Sequence, residues 1–175
     1  MLLLITTPPF AIRGLVAANR LGWHPQVYVN QVGSATNIMR IVSATANPRT
    51  IEGAITLISV KDPLMSRFKK DAGMKLYKSI MRQYLPRGDV NDGFHVYSMA
   101  VAYTFVEALK KAGKNPTRAS LVRAVANLNL RNNPFLLPGV VVKTSPTDHF
   151  PLDQGQLQRW SKNQWNPLGR VLTAR

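Results

Sequence analysis

The sequence predicts an α/β protein: parallel strands with flanking helices, in a doubly wound arrangement that is incomplete. Two observations carry that prediction. Short β-rich apolar runs begin at Met1, Gln26 and Glu52, and segments of helical periodicity separate them, which is the pattern of strand–helix–strand crossovers. The 175 residues are 45% hydrophobic and 8% aromatic, enough for a buried core rather than a disordered chain.

The elements follow in order. Met1-Leu2-Leu3-Leu4-Ile5 reads as a buried parallel strand, and Thr6 to Pro9 as the turn after it. Phe10 to Leu21 carries apolar residues at helical spacing and Gly22 stops it, so the next run, Gln26 to Asn30, completes a crossover unit. Thr36 to Ala46 forms a short helix that ends before Pro48, because the residue preceding proline avoids the helical region. Glu52 to Val60 is a further strand, broken by Lys61-Asp62-Pro63.

Beyond that break the pattern turns helical. Asp71 to Tyr84 places Met74, Tyr77, Ile80 and Met81 on one face. Asn91 or Asp92 caps the longest helix, which puts Phe94, Tyr97, Val101, Phe105 and Leu109 on one stripe, expected to be core, and ends at Gly113. Thr117 caps another helix with Leu121, Val122, Val125 and Leu128 as its buried face. Short strands are expected around Val140 to Val142 and Gln156 to Trp160, and residues 163–175 as a loosely held tail.

Composition narrows the function classes. With no cysteine there is neither a disulfide scaffold nor a thiolate metal site. The formal charge of +15 raises nucleic acid or an anionic surface as partners, but the basic residues are dispersed, with Lys69-Lys70 and Lys110-Lys111 the only adjacent pairs. Nucleic acid is therefore disfavoured. No segment approaches the roughly 20 apolar residues that span a bilayer, and the N-terminal apolar run is shorter than the roughly 7–15 residues of a secretory signal core.

Several segments, in this order, are similar to the C-terminal half of the type I periplasmic solute-binding family, in the branch of leucine-binding-protein-like receptors for branched-chain amino acids and amides. They are Leu21-Gly22-Trp23-His24-Pro25, Lys61-Asp62-Pro63, Asn91 through Tyr97 to Gly113, Leu137-Pro138-Gly139, Ser145 to His149, and Gln158-Arg159-Trp160 to Trp165. The resemblance implies a partial two-lobed fold: residues 1–62 as a remnant of the C-terminal lobe, 63–142 as a remnant of the N-terminal lobe, and 143–175 as the return crossing. It implies hinge positions at Asp62, Pro63 and Asp148. It also implies a substrate-binding component of an ABC importer, truncated at the front, with a small-molecule solute and an inner-membrane permease as partners. An intact relative is periplasmic; a chain without a recognisable signal leaves the cytoplasm open. The alternative is a basic nucleic-acid-associated protein or a non-functional fragment.

Ligands of open α/β sheets bind beyond the carboxyl ends of the strands, so the loops at Thr6 to Phe10 and Asn30 to Ser34 are the candidate binding loops. Thr6, Thr7, Asn30, Gln31 and Ser34 offer hydroxyl and amide groups, and Phe10 an apolar surface. The competing reading is that these residues cap helices and close turns. Neither loop contains Asp or Glu, whereas family relatives often set a carboxylate against a ligand ammonium, so an uncharged, amide or aromatic-acid solute fits as well as an amino acid.

No catalytic residues, metal ligands or cofactor are expected. Asp148-His149 lacks an accompanying nucleophile and reads as a surface turn, and His24 and His95 lack metal-ligand spacing. An incomplete sheet predicts exposed apolar surface, and with it poor solubility or self-association.

Overall fold

The computed structural model describes residues 1–174. Strands β1 (Leu2–Leu4), β2 (Val27–Val29) and β3 (Ile55–Ile58) alternate with helices α1 (Pro8–Arg20) and α2 (Thr36–Thr45). Then come α3 (Ala72–Tyr84), α4 (Gly93–Ala112) and α5 (Arg118–Val125), a short ladder of β4 (Asn129–Leu130) with β5 (Val142–Lys143), and a closing hairpin of β6 (Gln154–Ser161) and β7 (Gln164–Thr173).

The main sheet has the order β1-β2-β3-β6-β7. β1, β2 and β3 are parallel, in the register Leu2↔Val27 and Tyr28↔Ile55, while β6 joins β3 antiparallel with Thr56↔Gln158. Both crossovers advance the same way across the sheet, so α1 and α2 lie side by side on one face. That face buries Val27, Val29, Thr56 and Ile58 against Ala11, Leu15, Met39 and Val42. The opposite face carries Leu3, 52% exposed, and Leu57, 37% exposed, beside the half-buried Tyr28 and Ile55.

Local chemistry explains most boundaries. Asp71 caps α3 through the N–H of Met74 at 2.9 Å, and Asp92 caps α4 through the N–H of Phe94 at 2.9 Å. Thr117 and Ser120 form a capping box at α5. Gly53 at φ +80° turns the chain before β3, which is why that strand is shorter than the apolar run predicts.

The segment after β3 joins the sheet to the helices. The Lys61 N–H donates to Phe135 O and the Leu137 N–H to Ser59 O, each at 2.9 Å, so residues 59–61 lie against residues 135–137. Phe135, Leu136, Leu137 and Val140 then complete a core with Met74, Tyr77 and Met81 of α3 and Val96 and Ala100 of α4. The Tyr77 hydroxyl donates to Val90 O at 3.0 Å, and burial together with Asp92, Asp89 and Asp62 pushes its pKa up to about 12.

Three expectations are corrected. Residues 164–173 are not a loose tail but β7, paired with β6 from Trp160↔Trp165 to Gln154↔Thr173. Lys162 and Asn163, at φ 53° and 60°, form the tight turn between them, a conformation that suits the twist of a two-stranded hairpin. Pro167 is accommodated because β7 is an edge strand with a bulge opposite Gln156–Gln158.

In α4 the core residues are Val96, Ala100 and Ala108, whereas Phe94, Tyr97, Val101 and Phe105 are exposed by 39%, 51%, 52% and 50%. This helix is apolar on nearly all sides, so periodicity alone does not choose its buried face. The choice is made by the chain crossing at Asn133, whose Nδ2 donates to Ala100 O at 2.9 Å and needs small side chains beneath it. In α5 likewise Val122 and Val125 are exposed and Ala124 is buried instead, while Leu128, just past the helix, is buried as expected.

Candidate solute cleft

A cavity of about 250 Å³ lies beyond the carboxyl ends of β2 and β3, roofed by the first turns of α4. The loop after β2 contributes Gln31, Val32 and Ser34; the segment after β3 contributes Val60, Lys61 and Asp62; α4 contributes Phe94 and Tyr97; and β7 contributes Trp165. An apolar recess of about 260 Å³ shares Val60 and Tyr97 with it and continues along α4.

The loop geometry comes from its own side chains. Asn30 Oδ1 accepts from the Gly33 N–H at 3.1 Å and sets the single helical turn of residues 31–34. Ser34 Oγ donates to Gln31 O at 3.2 Å and accepts from Thr56 Oγ1 at 2.9 Å, while Ser34 O receives the indole N–H of Trp165 at 2.7 Å. Trp165 also stacks edge-on against Trp160, with ring centres 5.2 Å apart. The closing hairpin thereby holds the loop at the cleft wall.

Two charged residues at the floor are used structurally. Asp62, 8% exposed, accepts the Thr36 N–H at 2.9 Å and the Leu64 N–H at 2.8 Å, which places its carboxylate at the N-terminus of α2. Lys61 Nζ donates to both carboxylate oxygens of Asp71, at 2.8 and 2.9 Å, and to Pro134 O at 2.8 Å. All three ammonium donors are spent.

Burial, the largest influence, pushes the Asp71 carboxyl up, yet hydrogen bonds from Lys61 and the Met74 N–H and the Lys61 charge outweigh it, holding the pKa below its ordinary value of 3.8. A carboxylate with a depressed folded pKa adds stability that is present above its unfolded pKa and lost as pH falls through the folded one. Between roughly pH 5 and pH 3 the wild-type melting temperature is therefore expected to fall more steeply than that of Asp71→Asn. Parallel slopes in a pH series of thermal melts would count against it.

Of the residues that the sequence singles out, the structure brings Gln31, Ser34 and Asp62 to the cavity wall. Asn30 shapes the loop without lining the cavity. Thr6, Thr7 and Phe10 stand at the end of β1, outside the lining, where Thr7 occupies the N-cap position of α1 and the Phe10 ring lies beneath the Arg13 guanidinium at 5.8 Å. Pro63 follows Asp62 but does not line the cavity, and Asp148 closes the Ser145–Asp148 turn elsewhere.

Phe94, Tyr97, Lys61 and Trp165 line the cavity without having been singled out for it. The Asp92 cap, with Phe94 and Tyr97 in the first turns of the helix it opens, was the available signal for those two residues; Trp165 had none, since its position depends on a distant loop.

No family model matches the chain, and neither does any curated protein. Solved structures do match. The crystal structure of a branched-chain amino acid ABC transporter from Thermus thermophilus with bound valine superposes with a TM-score of 0.76 at 19% identity, covering 96% of this chain and 44% of that one. The fold is that of part of a type I periplasmic binding protein. A possible leucine/isoleucine/valine-binding protein from Rhodopirellula baltica aligns at TM-score 0.68 and 14% identity over 95% of this chain and 42% of its own. A fatty acid ABC transporter substrate-binding protein from Thermomonospora curvata does so at 0.66 and 17%, over 98% and 42%. The chain spans less than half the length of each of these structures.

Proposed function

We propose that this chain supplies part of the solute cleft of an ABC-importer binding protein, with a cargo of the branched-chain amino acid type or a related polar, amide or aromatic-acid solute. The observation that carries this reading is the cavity beyond the carboxyl ends of β2 and β3, faced by aromatic residues from the start of α4. The shared fold with transporter binding proteins supports it.

In this reading residues 1–62 and the closing hairpin belong to one lobe and residues 63–142 to the other. Asp62, Pro63 and Asp148 mark the crossings, and closure of the lobes presents the solute to a permease of the inner membrane. The working compartment is the periplasm, and no covalent step is involved. No helix among the described residues is long and apolar enough to cross a membrane.

The test is a thermal-shift panel on the full chain with valine, leucine, isoleucine, their amides and the matching carboxylic acids. A ligand at a hundredfold excess over its Kd stabilises by about 2.7 kcal/mol, so a rise in Tm of roughly 5–10 °C is expected for at least one class. A flat response across the whole panel, with equilibrium dialysis agreeing, would sink the reading.

A further inference from the structure

We infer that the outer face of α3 is a docking surface for an anionic phospholipid bilayer. The surface is separate from the solute cavity, with which it shares no lining residue, and the inference does not depend on the receptor reading.

Basic residues that are dispersed along the sequence come together here. Lys75, Lys78 and Arg82 stand three and four residues apart on α3, which puts them on one side of a helix. Met74, Tyr77 and Met81 take the other side into the core. Lys75 and Arg82 are exposed and Lys78 is half-buried, and none of the three enters a hydrogen bond or ion pair among the described residues. Of the carboxylates near them in the chain, Asp71 is paired with Lys61. That leaves Asp89, in the turn after α3, against a local excess of Lys75, Lys78, Arg82 and Arg87.

The three cations border a groove of about 380 Å³, whose remaining lining is Met81, Leu85, Pro86, Gly88 and Val90. Apolar side chains stand free along the same helix and its end: Leu76, Leu85 and Tyr84, the last 73% exposed. Cations beside an apolar groove, with leucines and a tyrosine projecting into solvent, match the bilayer interface. There ammonium and guanidinium groups meet phosphates, and apolar side chains enter the boundary with the acyl chains. A soluble acidic segment would satisfy the cations and leave Tyr84 and the leucines without an apolar partner. The net charge of +15 draws the whole chain towards any anionic surface, and α3 sets which side arrives.

The experiment is co-sedimentation of the full chain with vesicles of phosphatidylcholine alone and of an equimolar mixture of phosphatidylcholine and phosphatidylglycerol. Binding to the mixed vesicles is expected, weakening as salt is raised, with none to phosphatidylcholine. Lys75→Gln, Lys78→Gln and Arg82→Gln together are expected to weaken it at least about tenfold, since each basic residue near such a surface is worth roughly fivefold. A control with the same loss of charge on other elements, Arg20→Gln, Arg49→Gln and Lys114→Gln, is expected to weaken it less than about threefold. Glutamine is a good helix former, so α3 is kept in the first variant.

Equal weakening by the two triple variants would assign the binding to overall charge and overturn the inference. Wild-type binding to phosphatidylcholine alone would overturn it too, and that comparison needs no variant. Release from the mixed vesicles by millimolar glycerol 1-phosphate would make the groove a site for a soluble phosphate ester instead. Tighter binding to hexaglutamate than to the mixed vesicles would assign the face to an acidic protein segment, again against the inference.

Discussion

Gly73→Ala is expected to remove the cooperative fold of the helical part of the chain. Gly73 sits in the first turn of α3, and a methyl group there would lie 1.9 Å from the backbone oxygen of Pro134 and 2.8 Å from its carbonyl carbon. Both obstructions are main chain, so no rotamer change relieves them. Either α3 or the segment 133–137 must shift.

That shift has a wide reach. Asp71 caps α3 and also holds Lys61, and Pro134 O is the third partner of the same ammonium. Moving either segment therefore loosens the tie between β3 and the helices. A loss of at least about 3 kcal/mol is expected, in the upper range for overpacking of a tight contact. Urea denaturation of the purified variant is the measurement, and a midpoint close to wild type would refute the close approach.

Lys61→Met is expected to have the second largest effect. Lys61 is 7% exposed and Asp71 25% exposed at their side chains, so the pair is sheltered from solvent without being sealed. Removing the ammonium leaves Asp71 without its cation and Pro134 O without a donor. The cost of breaking such a pair is several kcal/mol when fully buried, and partial exposure of Asp71 reduces it to about 2–3 kcal/mol.

Lys61→Met combined with Asp71→Asn is expected to recover part of that loss, because the amide oxygen keeps the cap on the Met74 N–H while the stranded charge is removed. Equal, additive losses in a double-mutant cycle of thermal melts would mean that the two side chains do not act as a unit. Under the proposed receptor function, the single variant is also expected to weaken solute binding, since Lys61 lines the cavity beside Asp62, whose carboxylate holds the N-terminus of α2.

The sequence-based reading met its limits at identifiable places. The exposed row Phe94, Tyr97, Val101 and Phe105 has the spacing of a core stripe, and only the crossing of Asn133 over Ala100 makes the other side of α4 the buried one. Asn163, Asn166, Pro167 and Gly169 are turn-forming residue types, yet Lys162 and Asn163 use that tendency once, in a hairpin, while the remaining residues are carried within an edge strand. Of the candidate site residues, Gln31 and Ser34 could be chosen from the rule that α/β sheets bind ligands beyond their strand ends. The same rule also selects Thr6, Thr7 and Phe10, which lie outside this cavity.

What the sequence determined by itself is local. The alternation of β-rich runs with helices, the caps at Asp71, Asp92 and Thr117, and the break at Pro63 follow from backbone preferences and from side chains bonding to nearby main chain. What only the tertiary structure decided is the meeting of distant groups. Trp165 reaches Ser34 across 131 residues, and Lys61 reaches Pro134 O across 73. The physical reason is that a hydrogen bond between remote residues depends on the packing of every element between them, so no short window of sequence contains it.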